Sequence, residues 1–300
     1  MGVREKPIGV LDSGVGGLTV VNEILDIMPR EKVIYYGDTL HLPYGPRLLD
    51  EVKNFVFNIS DFLINKKNVK ALVLACNTAT SAAMEDVEQK YSVPVFGTIE
   101  SVTEKAYALS NSKRIGIIGT EGTVNSQAYQ RSLLQKDAAI KIFSAACPKF
   151  VEIVEQGIFS GPMVEKMAHK YLDGIREADV DVLILGCTHF PYLRATIKKV
   201  MGKNTKLISS GQAMAREIKK VLDQNNILIS DQKKRNVFAR EFMVSDRNSI
   251  SRDFLDGLSR KMKRLQESVW HQKKMFLYIS KDSLKNLMPE KIILLNIIMD

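Results

Sequence analysis

Leu72-Val73-Leu74-Ala75-Cys76-Asn77-Thr78 and, 111 residues later, Leu183-Ile184-Leu185-Gly186-Cys187-Thr188-His189 share one pattern: an apolar run, a small residue, then a cysteine followed by short polar side chains. A short unbroken apolar run of this kind reads as a strand buried on both faces. A second pair, Pro7-Ile8-Gly9-Val10-Leu11-Asp12-Ser13 and Arg114-Ile115-Gly116-Ile117-Ile118-Gly119-Thr120, stands 107 residues apart in the same order. Two ordered matches at nearly equal offsets predict two similar halves. Further strands are expected at Val33–Gly37, Val93–Phe96, Ile140–Ser144 and Leu207–Ser209. Between the strands lie helical patterns, such as Leu48–Ile64, Ala79–Lys90 and Met163–Ala178. Strand–helix alternation at this spacing predicts an α/β protein of two pseudo-equivalent parallel-sheet domains. The active site is expected in the cleft between them, at the carboxyl ends of the strands. The first domain is expected to take 1–97 plus 207–260 and the second 98–206. Residues 261–300 form a basic C-terminal tail.

The rest of the composition narrows the function. The chain has 300 residues, 45% of them apolar, and a net charge of +9. Arg260–Asp300 carries nine Lys/Arg against four Asp/Glu, so over half of that charge is local. Three cysteines and no CxxC pair exclude a disulfide framework and a zinc module. The N-terminal apolar stretch Ile8–Leu11 is too short for a secretory signal or a bilayer span, so a cytoplasmic protein without membrane contact is expected. Gly14-Val15-Gly16-Gly17 lacks the third glycine of a dinucleotide fingerprint, Thr19 standing at that position, and no Walker sequence occurs. These glycines are expected to let the backbone approach a small anionic ligand.

Cys76 and Cys187 each end a strand and precede a helix, where unpaired backbone N–H groups favour an anion. A thiolate so placed can act as nucleophile or general base. A single cysteine is more often a small buried hydrophobe, and Cys147, before Pro148, is read that way. Asn77, Thr78, Thr188 and His189 can cap helices or hold an amino acid's charged groups. His189 can serve as proton partner to Cys187. Asp12, closing the first strand, can be an N-cap or the corresponding partner of Cys76.

The chain resembles bacterial glutamate racemases over about Lys6 to Leu258. The matching segments are Ile8 through Val20, Tyr36-Gly37-Asp38-Thr39 with Pro43-Tyr44-Gly45, Ala75-Cys76-Asn77-Thr78-Ala79, and Leu185-Gly186-Cys187-Thr188-His189-Phe190-Pro191. The resemblance implies a cofactor-independent enzyme that interconverts L- and D-glutamate and supplies D-glutamate for peptidoglycan, with a homodimer as its assembly. Cys76 and Cys187 would be the proton-transfer pair, Cys76 serving the D and Cys187 the L enantiomer, with Asp12 and His189 assisting. Asp12, Ser13, Tyr44, Gly45, Asn77, Thr78, Thr120, Thr123, Glu155, Thr188 and His189 would form the substrate site. Two features depart from the family. Leu40-His41-Leu42 replaces a small or polar spacer, and Glu152 replaces a proline. The alternatives are a two-cysteine racemase of another small carboxylate such as aspartate, or a gyrase- or nucleic-acid-binding protein acting through the basic tail. That tail holds one tryptophan, Trp270, and no recognised nucleic-acid motif.

Overall fold

In a computed structural model the described residues are 2–229 and 240–246, with backbone alone for 240, 275–279 and 293–299. The first half runs β1 (Ile8–Asp12), α1 (Leu18–Ile27), β2 (Val33–Gly37), α2 (Leu49–Asp61), β3 (Ala71–Leu74), α3 (Asn77–Lys90) and β4 (Val95–Gly97). Helix α4 (Glu100–Leu109) leads into the second: β5 (Arg114–Gly119), α5 (Glu121–Asn125), α6 (Ala128–Lys136) and β6 (Lys141–Ala146). It continues with α7 (Pro148–Glu155), α8 (Pro162–Glu177), β7 (Val182–Gly186), α9 (Arg194–Met201) and β8 (Lys206–Ser209). Helix α10 (Ser210–Gln224) leads back to β9 (Arg240–Val244), and β10 (Met275–Ile279) and β11 (Ile293–Met299) follow.

Two sheets result, ordered β10-β11-β9-β2-β1-β3-β4 and β6-β5-β7-β8. The repeat read from the sequence occupies equivalent places: β1 pairs in parallel with β3, and β5 in parallel with β7. Strands β1, β3 and β7 are buried along their whole length, as strands covered on both faces must be. Ile8 and Val10 face Val20, Ile24, Met214 and Ile218 of α1 and α10. On the other side of the sheet, Leu11, Leu72 and Leu74 meet Val52 and Val56 of α2 and Ala83 and Val87 of α3. In the second domain, Leu183 and Leu185 pack with Phe150, Leu172 and Ile197 of α7, α8 and α9. Ile115 and Ile184 pack with Val102 and Leu133 of α4 and α6. Each such buried side chain contributes roughly 1.5–3 kcal/mol, so the cysteine loops stand on fully buried strands.

One sequence-based expectation is corrected. Leu207–Ser209 was assigned to the first domain, but β8 pairs with β7 in the second sheet. The return to the first domain is made by α10, whose stripe Met214, Ile218 and Leu222 lies at helical spacing against α1. Gly211 permits the close approach, because a Cβ there would stand 3.1 Å from Glu23 Cγ. Strands β2, β1, β3 and β4 of the first sheet run parallel, as expected. Strand β9 joins β2 in parallel, but β11 and β10 add antiparallel edge strands drawn from the region read as a tail. Antiparallel neighbours need no helical crossover, which is why that region lacks α/β alternation. The basic run at 260–274 lies outside the described residues, and with it the suggested nucleic-acid contact. Among the described residues, no helix is long and apolar enough to cross a membrane.

Candidate active site

The carboxyl ends of β1, β3, β5 and β7 face one another across the cleft. A cavity of about 260 Å³ lies there, smaller than the roughly 300–1,000 Å³ of drug-sized sites. The first domain lines it with Ser13, the segment Leu42–Pro46, Cys76, Asn77 and Thr78. The second contributes Thr120, Glu121, Pro148, Val151, Glu152, Cys187, Thr188 and His189. Both predicted cysteines therefore reach one cavity, one from each sheet, while Cys147 is fully buried in the second core. Among the described residues lining it, His189 is the only side chain that can carry positive charge. With both ring nitrogens engaged by Cys187 and Glu155, an anionic ligand there takes its hydrogen bonds from neutral donors and from the N-terminus of α3.

The two thiols have different surroundings. The Cys76 sulfur takes hydrogen bonds from the Ala79 N–H and the Ser13 hydroxyl. Burial, reinforced by the Asp12 carboxylate, outweighs both and pushes the Cys76 thiol up to about 12. Cys187 instead has an imidazole beside it. His189 Nδ1 lies 3.7 Å from the Cys187 sulfur, and Nε2 lies 2.5 Å from Glu155 Oε1. Burial opposes charge on that ring, but the Cys187 and Glu155 partners prevail and hold the His189 pKa well above its ordinary value. As an imidazolium it donates from both nitrogens, one toward the sulfur and one to the carboxylate.

Asp12, Thr123 and Glu155, expected at the substrate, do not line the cavity. Asp12 is fully buried, and its carboxylate accepts the Gly14 N–H at 3.1 Å and the Thr188 hydroxyl at 3.3 Å. It is not an N-cap, since α1 begins after Gly17. Burial raises its pKa against the pull of His189 and these donors. Glu155 stands behind His189. Thr123 closes a hydroxyl cluster: Thr78 Oγ1 lies 2.9 Å from Thr120 Oγ1, which lies 3.0 Å from Thr123 Oγ1. That cluster joins the two domains, as does the Gly122 N–H donating to the Gly45 carbonyl at 2.8 Å.

The glycine-rich loop serves a different purpose from the one expected. Gly14, Gly16 and Gly17 touch protein, not the cavity. A Cβ on Gly16 would lie 2.5 Å from Thr188 Oγ1 and 2.6 Å from His189 Nδ1, and one on Gly17 would lie 2.6 Å from Asp12 Cβ. Their smallness lets the second cysteine loop press against the first domain. Tyr44 donates to Asp38 Oδ2 at 2.6 Å, and Asp38 also accepts from Ser245 at 2.9 Å. The departing spacer acquires a place here: His41 stacks on Phe55 and bonds Asp38, while Leu42 lines the cavity. Pro46, Glu121, Pro148 and Val151 were not foreseen. Pro148 follows the carboxyl end of β6, so the strand-end rule could have found it.

Fold and site thus define a two-domain α/β protein with a cysteine from each domain in one small cavity. Residues 8–218 match the model of the Asp/Glu/hydantoin racemase family, and the chain belongs to that family. It is 45% identical over 222 residues to a glutamate racemase of Exiguobacterium sibiricum, covering 74% of this chain and 82% of that one. Its structure resembles glutamate racemase isoform RacE1 from Bacillus anthracis, with a TM-score of 0.80 and 36% identity over 87% of this chain and 95% of that one. A glutamate racemase from Francisella tularensis, solved in complex with D-glutamate, has a TM-score of 0.77 and 32% identity over 87% and 94% of the two chains.

Proposed function

We propose that this chain is a glutamate racemase that interconverts L- and D-glutamate in the cytoplasm, without pyridoxal phosphate, and supplies the D form for peptidoglycan. The observation that carries the reading is that Cys76 and Cys187, at equivalent strand ends of the two domains, line a single small cavity. Racemisation requires the α-proton to leave one face of Cα and another to arrive on the opposite face. One sulfur, as thiolate, takes the α-proton and becomes a thiol. The other, as thiol, gives its proton to Cα and becomes a thiolate. Cys76 serves D-glutamate and Cys187 serves L-glutamate, the roles exchanging with direction. Asn77, Thr78, Thr120 and Thr188 supply hydrogen bonds to the substrate, and the burial of Asn77, Thr78 and Thr188 strengthens them as charge develops at the α-carbon. His189, held by Glu155, stands with Nδ1 beside the Cys187 sulfur as its proton partner.

Circular dichroism of purified full chain with D-glutamate and no added cofactor tests this. The signal should decay to that of the racemate, and D-aspartate in the same cell should decay far more slowly. A requirement for pyridoxal phosphate or a metal after dialysis would overturn the mechanism. Faster decay of aspartate would favour the small-carboxylate alternative. A homodimer is part of the same reading, and sedimentation velocity checks it.

A further inference from the structure

Tyr129 of α6 is fully buried and was not singled out by the sequence. Its hydroxyl lies 2.6 Å from Asn77 Oδ1, across the domain boundary, and 3.4 Å from the Thr98 carbonyl. Its ring lies against the residue before Cys187: a Cβ on Gly186 would stand 3.2 Å from Tyr129 Cε2. One side chain therefore touches the residue after the first cysteine and the residue before the second.

Asn77 is 2% exposed and lines the cavity, yet its Nδ2 has no hydrogen-bond partner. A buried donor left unmade is costly, and it marks a place for an acceptor that arrives from outside. The tyrosine decides which end of the carboxamide faces the cavity. Its single hydroxyl proton goes to the shorter contact, so Oδ1 is taken and Nδ2 is turned to the ligand.

We propose that Tyr129 is a positioning residue that fixes the Asn77 carboxamide so that Nδ2 donates to a carboxylate oxygen of the substrate. This assignment rests on the glutamate-racemase reading above. Without the hydroxyl the carboxamide turns freely, and its oxygen faces an anion part of the time. The interaction is present before and during proton transfer, so its loss weakens binding more than turnover.

Steady-state racemisation of glutamate by the full chain tests this in the wild type, Tyr129→Phe, Asn77→Ala and the double variant. Tyr129→Phe should raise KM about tenfold and leave kcat within about threefold. The double variant should show no higher KM than Asn77→Ala, because the tyrosine acts through the asparagine. Effects of the two changes on KM that multiply would overturn the assignment, as would an unchanged KM in Tyr129→Phe. Asn77→Asp reads the same geometry with Tyr129 intact. Its second oxygen takes the place of Nδ2 and repels the substrate, so its KM should exceed that of Asn77→Ala, and an equal or lower KM also refutes the assignment. A wild type inert toward glutamate would instead defeat the functional reading itself.

Discussion

Replacing His189 with asparagine removes the one cationic side chain among the described residues of the cavity lining while keeping a polar group there. The imidazole Nδ1 stands 3.7 Å from the Cys187 sulfur. At that separation, a unit pair at an effective dielectric of about 20 is worth roughly 4 kcal/mol. His189 is 2% exposed, so salt screens little of this. Water entering the space of the lost ring returns part of it, and kcat/KM should fall by about 10²–10³ at ~1.4 kcal/mol per decade. The equilibrium constant of a racemisation is one, so kcat/KM must fall equally in both directions. The distinction between the two faces has to be sought in half-reactions. Loss of chloride from β-chloroglutamate follows α-proton removal by a single thiolate. The His189→Asn variant should lose most of its elimination from the L analogue and keep that from the D analogue within about tenfold. Retention of kcat/KM within about threefold would refute the reasoning. So would an equal loss of both half-reactions.

Two further outcomes follow from the same geometry. Cys76→Ser and Cys187→Ser should each abolish racemisation, yet Cys187→Ser should keep elimination from the D analogue and Cys76→Ser from the L analogue; one variant processing both hands would refute a two-base scheme. Because folding raises the His189 pKa, its ionic contribution to stability is full below the unfolded value of about 6.5 and is lost as pH rises through the folded value. The stability gap between wild type and His189→Asn in urea should therefore be largest between about pH 5 and 6.5 and shrink on the alkaline side, and a gap that widens with pH would contradict the assigned charge.

Much of this architecture is legible in the chain because buried parallel strands announce themselves. Ala71–Leu74 and Val182–Gly186 cannot be other than covered on both faces, and a cysteine at the end of each falls where ligands of α/β sheets lie. Periodicity says which residues are buried but not against what. Leu207–Ser209 reads as a strand, yet its sheet is decided by pairing with β7, which no local pattern records. Gly16 reads as a ligand-binding glycine until Thr188 and His189 are seen pressing on it. Tyr129 stands between Gln127-Ala128 and Gln130-Arg131, a context that carries no sign of a buried role, and only its hydroxyl's partner distinguishes it. The same holds for Lys70 and Glu31, which the composition counts among surface charges. They form a fully buried pair at 2.6 Å that ties the entries of β2 and β3 together. Charge reads as exposure unless the partner is known.

The near-symmetry of the two halves ends at the cysteines, and under the proposed mechanism that asymmetry has a use. A two-base racemase needs one thiol and one thiolate together in the same complex. Two identical environments would also populate states with both sulfurs protonated or both ionised, and neither state can turn over. Here burial and the Asp12 carboxylate favour the neutral form of Cys76, while the imidazolium of His189, bonded to Glu155, stands directly beside the Cys187 sulfur. The free enzyme is thereby biased toward a thiol at Cys76, the form in which that sulfur delivers a proton. Unequal environments cannot shift the equilibrium between the enantiomers. They can only divide the common kcat/KM differently between kcat and KM in the two directions. The partners that distinguish the two sulfurs thus set how the enzyme distributes its protons between turnovers, while the paired strand ends set where those protons are delivered.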